Sequence, residues 1–349
     1  MYRNRDIAQG VLDEIKRKQQ ADDERKHCEE DERKQQQEDD ERKHWEEDER
    51  KRKLENTCLA YTLTGHSHHV SSLAFTPDGQ TLVSGSWDNT VKLWQMNTRQ
   101  EIQTLTGHSD DIRCVVVSPD GQTIASCGED KVIKLWQLST GQEIRTLRGH
   151  SSWVLCLAIS PDGQTLVSGS NDGAIKIWQL STGQEIRTLK GHSGWVFCLA
   201  ISPDGQTLVS GSEDKTIKTW QLSTGQELRT FTRHSSSVRA LAISPDGQTL
   251  VSSSEDKTIK IWQLSTGQEL RTLTGNSSGI HALAISLDGQ TLVSGSGDKT
   301  IKIWQLSTGQ KLKTLTGHSS SVDALAFSPD GQTLVSSGDD KTISIWRVL

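Results

Sequence analysis

The chain has 349 residues, 39 of them Lys or Arg and 45 Asp or Glu, with a formal net charge of −6. That balance argues against a generally basic DNA- or RNA-binding protein. The longest uninterrupted apolar runs, 153–159 and 195–201, are too short for a membrane-spanning helix.

Met1, Tyr2 and Arg3 lead into alternating charge rather than a hydrophobic signal segment. Residues 1–56 hold 34 charged side chains, which leaves too little apolar material for a core. Within this arm, residues 22–38 recur at 39–55 with 13 identities. Acid precedes base at i,i+4 in pairs such as Glu29/Arg33, Glu38/Arg42 and Glu46/Arg50, the orientation that supports a helix. The pattern predicts a long charged α-helical, coiled-coil-like arm. Its sparse apolar residues after Ile15, namely Ala21, Cys28, Trp45 and Leu54, follow no heptad. A solvated spacer is therefore favoured over self-association, although Ile7, Val11 and Ile15 form a short stripe at i, i+4 and i+8 that could dock a partner.

From residue 57 a period of 42 governs the chain. Gly-His stands at 65/66, 107/108, 149/150, 191/192 and 317/318, with Arg233-His234 and Gly275-Asn276 in the same phase. Asp recurs at 88, 130, 172, 214, 256, 298 and 340, and Trp six residues after each. In one unit, 154–160 is an apolar run, Pro161-Asp162-Gly163 a hairpin turn, and 165–170 a second run; 175–178 and 185–189 alternate apolar and polar residues. These read as four antiparallel strands, the first buried on both sides and the last two half-buried. Seven such sheets must cover one another's faces, which predicts an all-β, seven-bladed propeller over 57–349. Three residues follow Trp346, so strand 58–63 is expected to complete the last blade.

These repeats resemble the WD40 family in its bacterial type, with near-identical SPDGQTLVSGS and LSTGQE segments, although Trp is followed by Gln or Arg rather than Asp. The resemblance implies a hydrogen-bonded tetrad in each blade, His150, Ser168, Asp172 and Trp178 in blade three. Asn276 replaces the tetrad His in blade six, and Leu287 replaces the turn Pro, so that blade is expected to be the least protected.

Positions that differ among otherwise copied repeats are the candidates for separate roles. One phase holds His69/Ser71, Asp111/Arg113, Trp153/Leu155, Trp195/Phe197, Ser237/Arg239, Gly279/His281 and Ser321/Asp323; another holds Trp87, Glu129, Asn171, Glu213, Glu255, Gly297 and Asp339. The resemblance places both phases on the top face around the channel entrance. Trp87, Trp153, Leu155, Trp195 and Phe197, rimmed by Asn171, Glu213 and Arg239, are the expected partner-binding residues. Acids on blades seven and two (Asp110, Asp111, Glu129, Asp323, Asp339, Asp340) suggest a partner with an apolar anchor and basic residues.

The sequence reading is thus a non-catalytic, cytoplasmic scaffold with protein or peptide partners, no DNA or membrane partner, and room for self-association through the arm. Two alternatives stand beside it: an enzyme holding substrate with Arg113, Arg239, His281 and Asp323, and an RNA-associated scaffold using the arm's basic residues. No cofactor is expected. His66, His68 and His69 lack a fixed carboxylate or Cys companion in sequence, and six Cys show no CxxC pair, so no metal site is expected either.

Overall fold

The computed structural model describes residues 12, 14, 16, 17, 19, 20, 25, 27, 29, 32–42, 45, 48–50, 52, 54 and 56–348. The chain divides into two compact units, Met1–Lys53 and Leu54–Leu349. In the first unit every described residue has helical backbone, and the longest unbroken described run is 32–42. Of the long charged helical arm expected from the sequence, the continuously described part is the helix 32–42. Arg42 meets Asp39 at 2.7 Å and Gln36 meets Asp40 at 3.1 Å. Exposed pairs of this kind contribute about 0.3–0.5 kcal/mol each, too little to hold a long helix without an apolar face to bury. Trp45 is 65% exposed. Ile7, Val11, Ile15, Ala21 and Cys28 lie outside the described residues. No helix among the described residues is long and apolar enough to cross a membrane.

The second unit is a ring of seven four-stranded antiparallel sheets. Blade three runs Val154–Ile159, Thr165–Ser170, Ile175–Gln179 and Glu185–Leu189, each strand hydrogen-bonded to the next. The turn between the first two follows from Pro161-Asp162-Gly163: Gly163 has φ +70°, the Asp162 carboxylate accepts from Gln164 N–H at 3.0 Å, and Gly163 N–H donates to Ser160 O at 2.8 Å. Blade six keeps this geometry despite Leu287, with Gly289 at φ +68° and its N–H 2.9 Å from Ser286 O. Leu287 is 58% exposed, so losing Pro there leaves the turn intact.

Burial ranks the strands differently from the sequence reading. The second strand, not the first, is buried almost throughout, as in Thr165–Ser170. One side of the first strand faces the central channel, which leaves Leu155 half-buried. The outermost strand is largely exposed.

Cores lie between blades. Cys156, Val167, Ile175, Ile177 and Leu189 of blade three close on Val196, Leu208, Trp220 and Leu222 of blade four. Small residues let the sheets approach: a Cβ on Gly169 would meet Val196 Cγ1 and Cys156 Sγ at 2.6 Å. Of the five described cysteines, all free, Cys127, Cys156 and Cys198 are buried; Cys114 is half-buried and Cys58 exposed. Burial pushes the Cys198 thiol up to about 12.

The ring closes through its first strand. Cys58–Leu63 pairs antiparallel with Ile343–Arg347 in the register Leu59↔Trp346, Tyr61↔Ile345 and Leu63↔Ile343. Leu54, assigned to the arm in the sequence reading, is buried with Val293, Ile301, Leu315 and Trp346 between blades six and seven.

The tetrad locks six blades alike. In blade three His150 Nδ1 lies 3.1 Å from Asp172 Oδ2, His150 Nε2 lies 2.8 Å from Ser168 Oγ, and Trp178 Nε1 donates to Ser168 Oγ at 2.9 Å. A neutral imidazole with its proton on Nδ1 satisfies every member, because Ser168 then donates to Nε2 while accepting from the indole. Burial opposes ionisation of Asp172, but hydrogen bonds from His150 and the Ser151 and Ala174 N–H groups hold its carboxyl well below the ordinary carboxylate range.

Blade six is built differently. Both polar side-chain atoms of Asn276 are buried without a hydrogen-bonding partner among the described residues. In blade three Lys176 reaches outward to Glu185 at 2.8 Å and Thr188 at 2.8 Å. In blade six Lys311 stands where that Glu would be, and Lys302 turns instead to Asp298 at 2.9 Å and Thr300 at 2.7 Å. A buried ammonium replaces the imidazole as the partner of the aspartate.

Two outcomes are expected. Removing residues 1–63 lowers the thermal midpoint and drives self-association through the bared edge of Ile343–Arg347, read by scanning fluorimetry and light scattering; an unchanged, monomeric protein would show that closure contributes nothing. Asn276→His together with Lys311→Glu raises stability by about 1–3 kcal/mol and slows amide exchange in blade six. Blade-six exchange in the parent already as slow as in the other blades would contradict its weakness.

Candidate functional site

The first residues of the innermost strands from all seven blades surround one end of the channel. There they line a cavity of about 410 Å³ formed by His69, Ser71, Trp87, Arg113, Trp153, Leu155, Trp195, Phe197, Arg239, His281 and Asp323. The pairing register shifts at the start of each innermost strand, as between Val154 and Cys156, and His69/Ser71, Trp153/Leu155 and Trp195/Phe197 contribute both members of their variable pairs to the lining.

The side chains form a closed belt. The His69 ring lies 4.3 Å from Trp87, centroid to centroid. The Arg113 guanidinium sits 4.3 Å from the Trp87 ring and 5.8 Å from Trp153. Trp153 meets Trp195 edge to face at 6.2 Å, and Trp195 meets Phe197 at 5.9 Å. Arg239 lies 4.3 Å above Phe197, and its Nε is 2.9 Å from Glu255. Glu255 reaches His281 Nε2 at 3.3 Å, His281 Nδ1 reaches Asp323 at 2.7 Å, and the other Asp323 oxygen lies 3.0 Å from His69 Nε2. Ten side chains thus link blade one to blade seven and back, one half aromatic and the other ionic.

Arg113 also donates from Nε and a terminal nitrogen to Glu129. Asp323 accepts from Ser321 at 2.8 Å as well. Burial works against a charged His281, but hydrogen bonds and charge from Asp323 and Glu255 outweigh it and push the pKa up to about 9. The same contacts hold Glu255 and Asp323 below the ordinary carboxylate range, for Asp323 against a burial effect that raises it. Burial, and after it the charge of Glu129, raises the Asp111 carboxyl above its ordinary value.

Of the residues singled out in sequence, Trp87, Trp153, Leu155, Trp195, Phe197 and Arg239 are brought together here. Asn171 and Glu213 do not line the cavity; their backbone N–H groups each donate at 2.9 Å to the carbonyls of Trp153 and Trp195. Arg113, Arg239, His281 and Asp323 do converge on one cavity. The sequence reading missed the belt roles of His69 and Glu255, although both occupy its variable phases. It also found no carboxylate beside His69, whereas Asp323 of blade seven supplies one across the ring closure. No group of three or more potential metal ligands occurs among the described residues.

Seven blades, six carrying the complete imidazole–hydroxyl–indole–carboxylate tetrad, define a β-propeller of the WD-repeat class. Family models agree: the WD domain, G-beta repeat matches residues 57–95, 99–137 and 141–179, and the WDR3 first beta-propeller domain matches 174–348. The chain belongs to the WD40 repeat family. Among curated proteins it is similar to the small ribosomal subunit protein RACK1 of Caenorhabditis elegans, 51% identical over 45 residues, 12% of this chain and 14% of that one. It is also similar to the cross-pathway control WD-repeat protein 2 of Flammulina velutipes, 53% identical over 36 residues (10% and 11%). A periodic tryptophan protein 2 homolog of Neurospora crassa is 54% identical over 39 residues (11% and 4%). Each match is about one repeat long, so the likeness lies in the repeat and covers a small part of each relative.

His281 offers a test of the belt. Its folded pKa of about 9 lies above the ordinary 6.5, so the stability its pairs contribute is complete below about 6.5 and lost as pH rises through about 9. Asp323→Asn removes one of its two carboxylates, and the His281 pKa measured by NMR titration is expected to fall by more than a unit; an unmoved value would refute the pairing.

Proposed function

We propose that the protein is a non-catalytic scaffold that binds a protein or peptide partner on the top face of its propeller, at the cavity bounded by the belt. Membership of a family whose propellers generally serve as interaction platforms supports the coarse reading. One observation carries the finer one: Trp153, Trp195 and Phe197 form a continuous aromatic wall at the channel end, with Trp195 37% exposed. Aromatic anchors beside a cavity with polar neighbours dominate binding at protein interfaces. Leu155 extends the apolar wall, Trp87 and Arg239 flank it, and Asn171 and Glu213 belong to the rim outside the cavity.

The convergence of Arg113, Arg239, His281 and Asp323 on one cavity, together with a strongly shifted His281, is the arrangement the enzyme alternative requires. The direction of the His281 shift weighs against that alternative. A general acid or base works best with a pKa near the working pH, whereas His281 is held as a cation with both ring nitrogens engaged by carboxylates. The free thiols at the five described cysteines fit work in the reducing cytoplasm.

The test is comparative capture from the source cell's lysate with the full chain and a Trp153→Ala/Trp195→Ala variant of matched thermal midpoint. Partners that bind the parent and are lost from the variant are expected. Identical partner sets would place the tryptophans in packing alone.

A further inference from the structure

The residues facing the cavity carry an uneven charge. Arg113, Arg239 and His281 line it, and Asp323 is the one carboxylate that does. Asp323 is already engaged by His281, Ser321 and His69, which leaves it little capacity for an incoming cation. Glu129 and Glu255, the counter-ions of the two arginines, are not part of the lining. The acids that suggested a basic partner in the sequence are therefore either committed within the belt or outside the cavity.

The aromatic wall reinforces this. Its rings could in principle cage a cation, but Trp87, Trp153 and Phe197 already face the protein's own guanidinium groups at 4.3, 5.8 and 4.3 Å. A further cation would meet like charge. The arginine side chains are 27% and 32% exposed, so solvent and ligand can reach them. Arg239 spends Nε on Glu255, and neither of its terminal nitrogens donates to a described residue. A planar fork with free donors beside an aromatic face is suited to a carboxylate attached to an apolar group.

We infer that the cavity takes a peptide segment in which a large apolar side chain stands next to an acidic one, the apolar group seated against Trp153, Trp195 and Phe197 and the carboxylate on Arg239. This rests on the proposed function of the mouth as a binding site and specifies the partner's chemistry. Charge complementarity is what selects the occupant: the lining is cationic and aromatic, so the ligand is anionic and apolar.

A displayed random heptapeptide library is panned on the full chain, and a selected peptide is then titrated by fluorescence anisotropy. Enriched sequences are expected to pair Leu, Phe or Trp with a neighbouring Asp or Glu. Replacing that acid by Lys, or Arg239 by Gln in the protein, is expected to weaken binding about tenfold, the scale of one charge-assisted hydrogen bond. Arg239→Lys, which keeps the charge but not the fork, should restore part of it. Thermal midpoints confirm that each variant is folded. Enrichment of Lys or Arg beside the apolar residue, lost on Trp195→Ala, would overturn the anionic ligand while sparing the mouth as a binding site. Failure to select any peptide sensitive to Trp195→Ala would overturn both.

Discussion

Each sheet of this propeller is apolar on both faces, and water tolerates neither being left open. The second strand shows the constraint most directly: Leu166, Val167 and Ser168 are all buried, although they point alternately to opposite sides. Every blade must be covered twice, which a row of blades cannot achieve at its ends and a ring can. Closure by Cys58–Leu63 and the insertion of Leu54 between blades six and seven are both answers to that requirement.

Within the ring two polar systems divide the work. The tetrads are internal to each blade and repeat the same chain of donors, so they add rigidity without distinguishing one blade from another. The belt crosses between blades at most of its steps, and those crossings are not repeated; the Arg–Glu pair within a blade recurs, as Arg113–Glu129 in blade two and Arg239–Glu255 in blade five. Asp323 joins residues on blades six and one, and Arg113 bridges the aromatics of blades one and three. Each belt member holds its neighbour's rotamer, so the cavity is organised before any ligand arrives, which lowers the entropy a ligand would lose on binding.

What could be read in the sequence follows from this division. Strand order is stated seven times and the turn chemistry and complete tetrad six times, so departures such as Asn276 stand out against the copies. The positions of the belt were also visible, as the phases where the copies disagree. Its pairings were not, because contacts such as His281 with Asp323 or Trp153 with Trp195 join different repeats and each occurs once. The inward turn of Lys302 was hidden for a related reason: it depends on two substitutions, Asn276 and Lys311, that look unrelated until the fold brings their consequences to one aspartate. In the arm, favourable charge spacing indicated helical backbone, which the described residues 32–42 show, although such exposed pairs carry little energy of their own.

The single occurrence of the belt contacts that cross between blades has a consequence for how such a chain can change. Blades are interchangeable as far as the tetrad and the inter-blade cores are concerned, so a duplicated or shuffled repeat would still find compatible neighbours. The belt would be scrambled by the same event, because Arg113 would face a different ring and Asp323 a different imidazole. The order of the blades is therefore a stored message, written in a few side chains at the channel end and carried by a scaffold that is nearly indifferent to it.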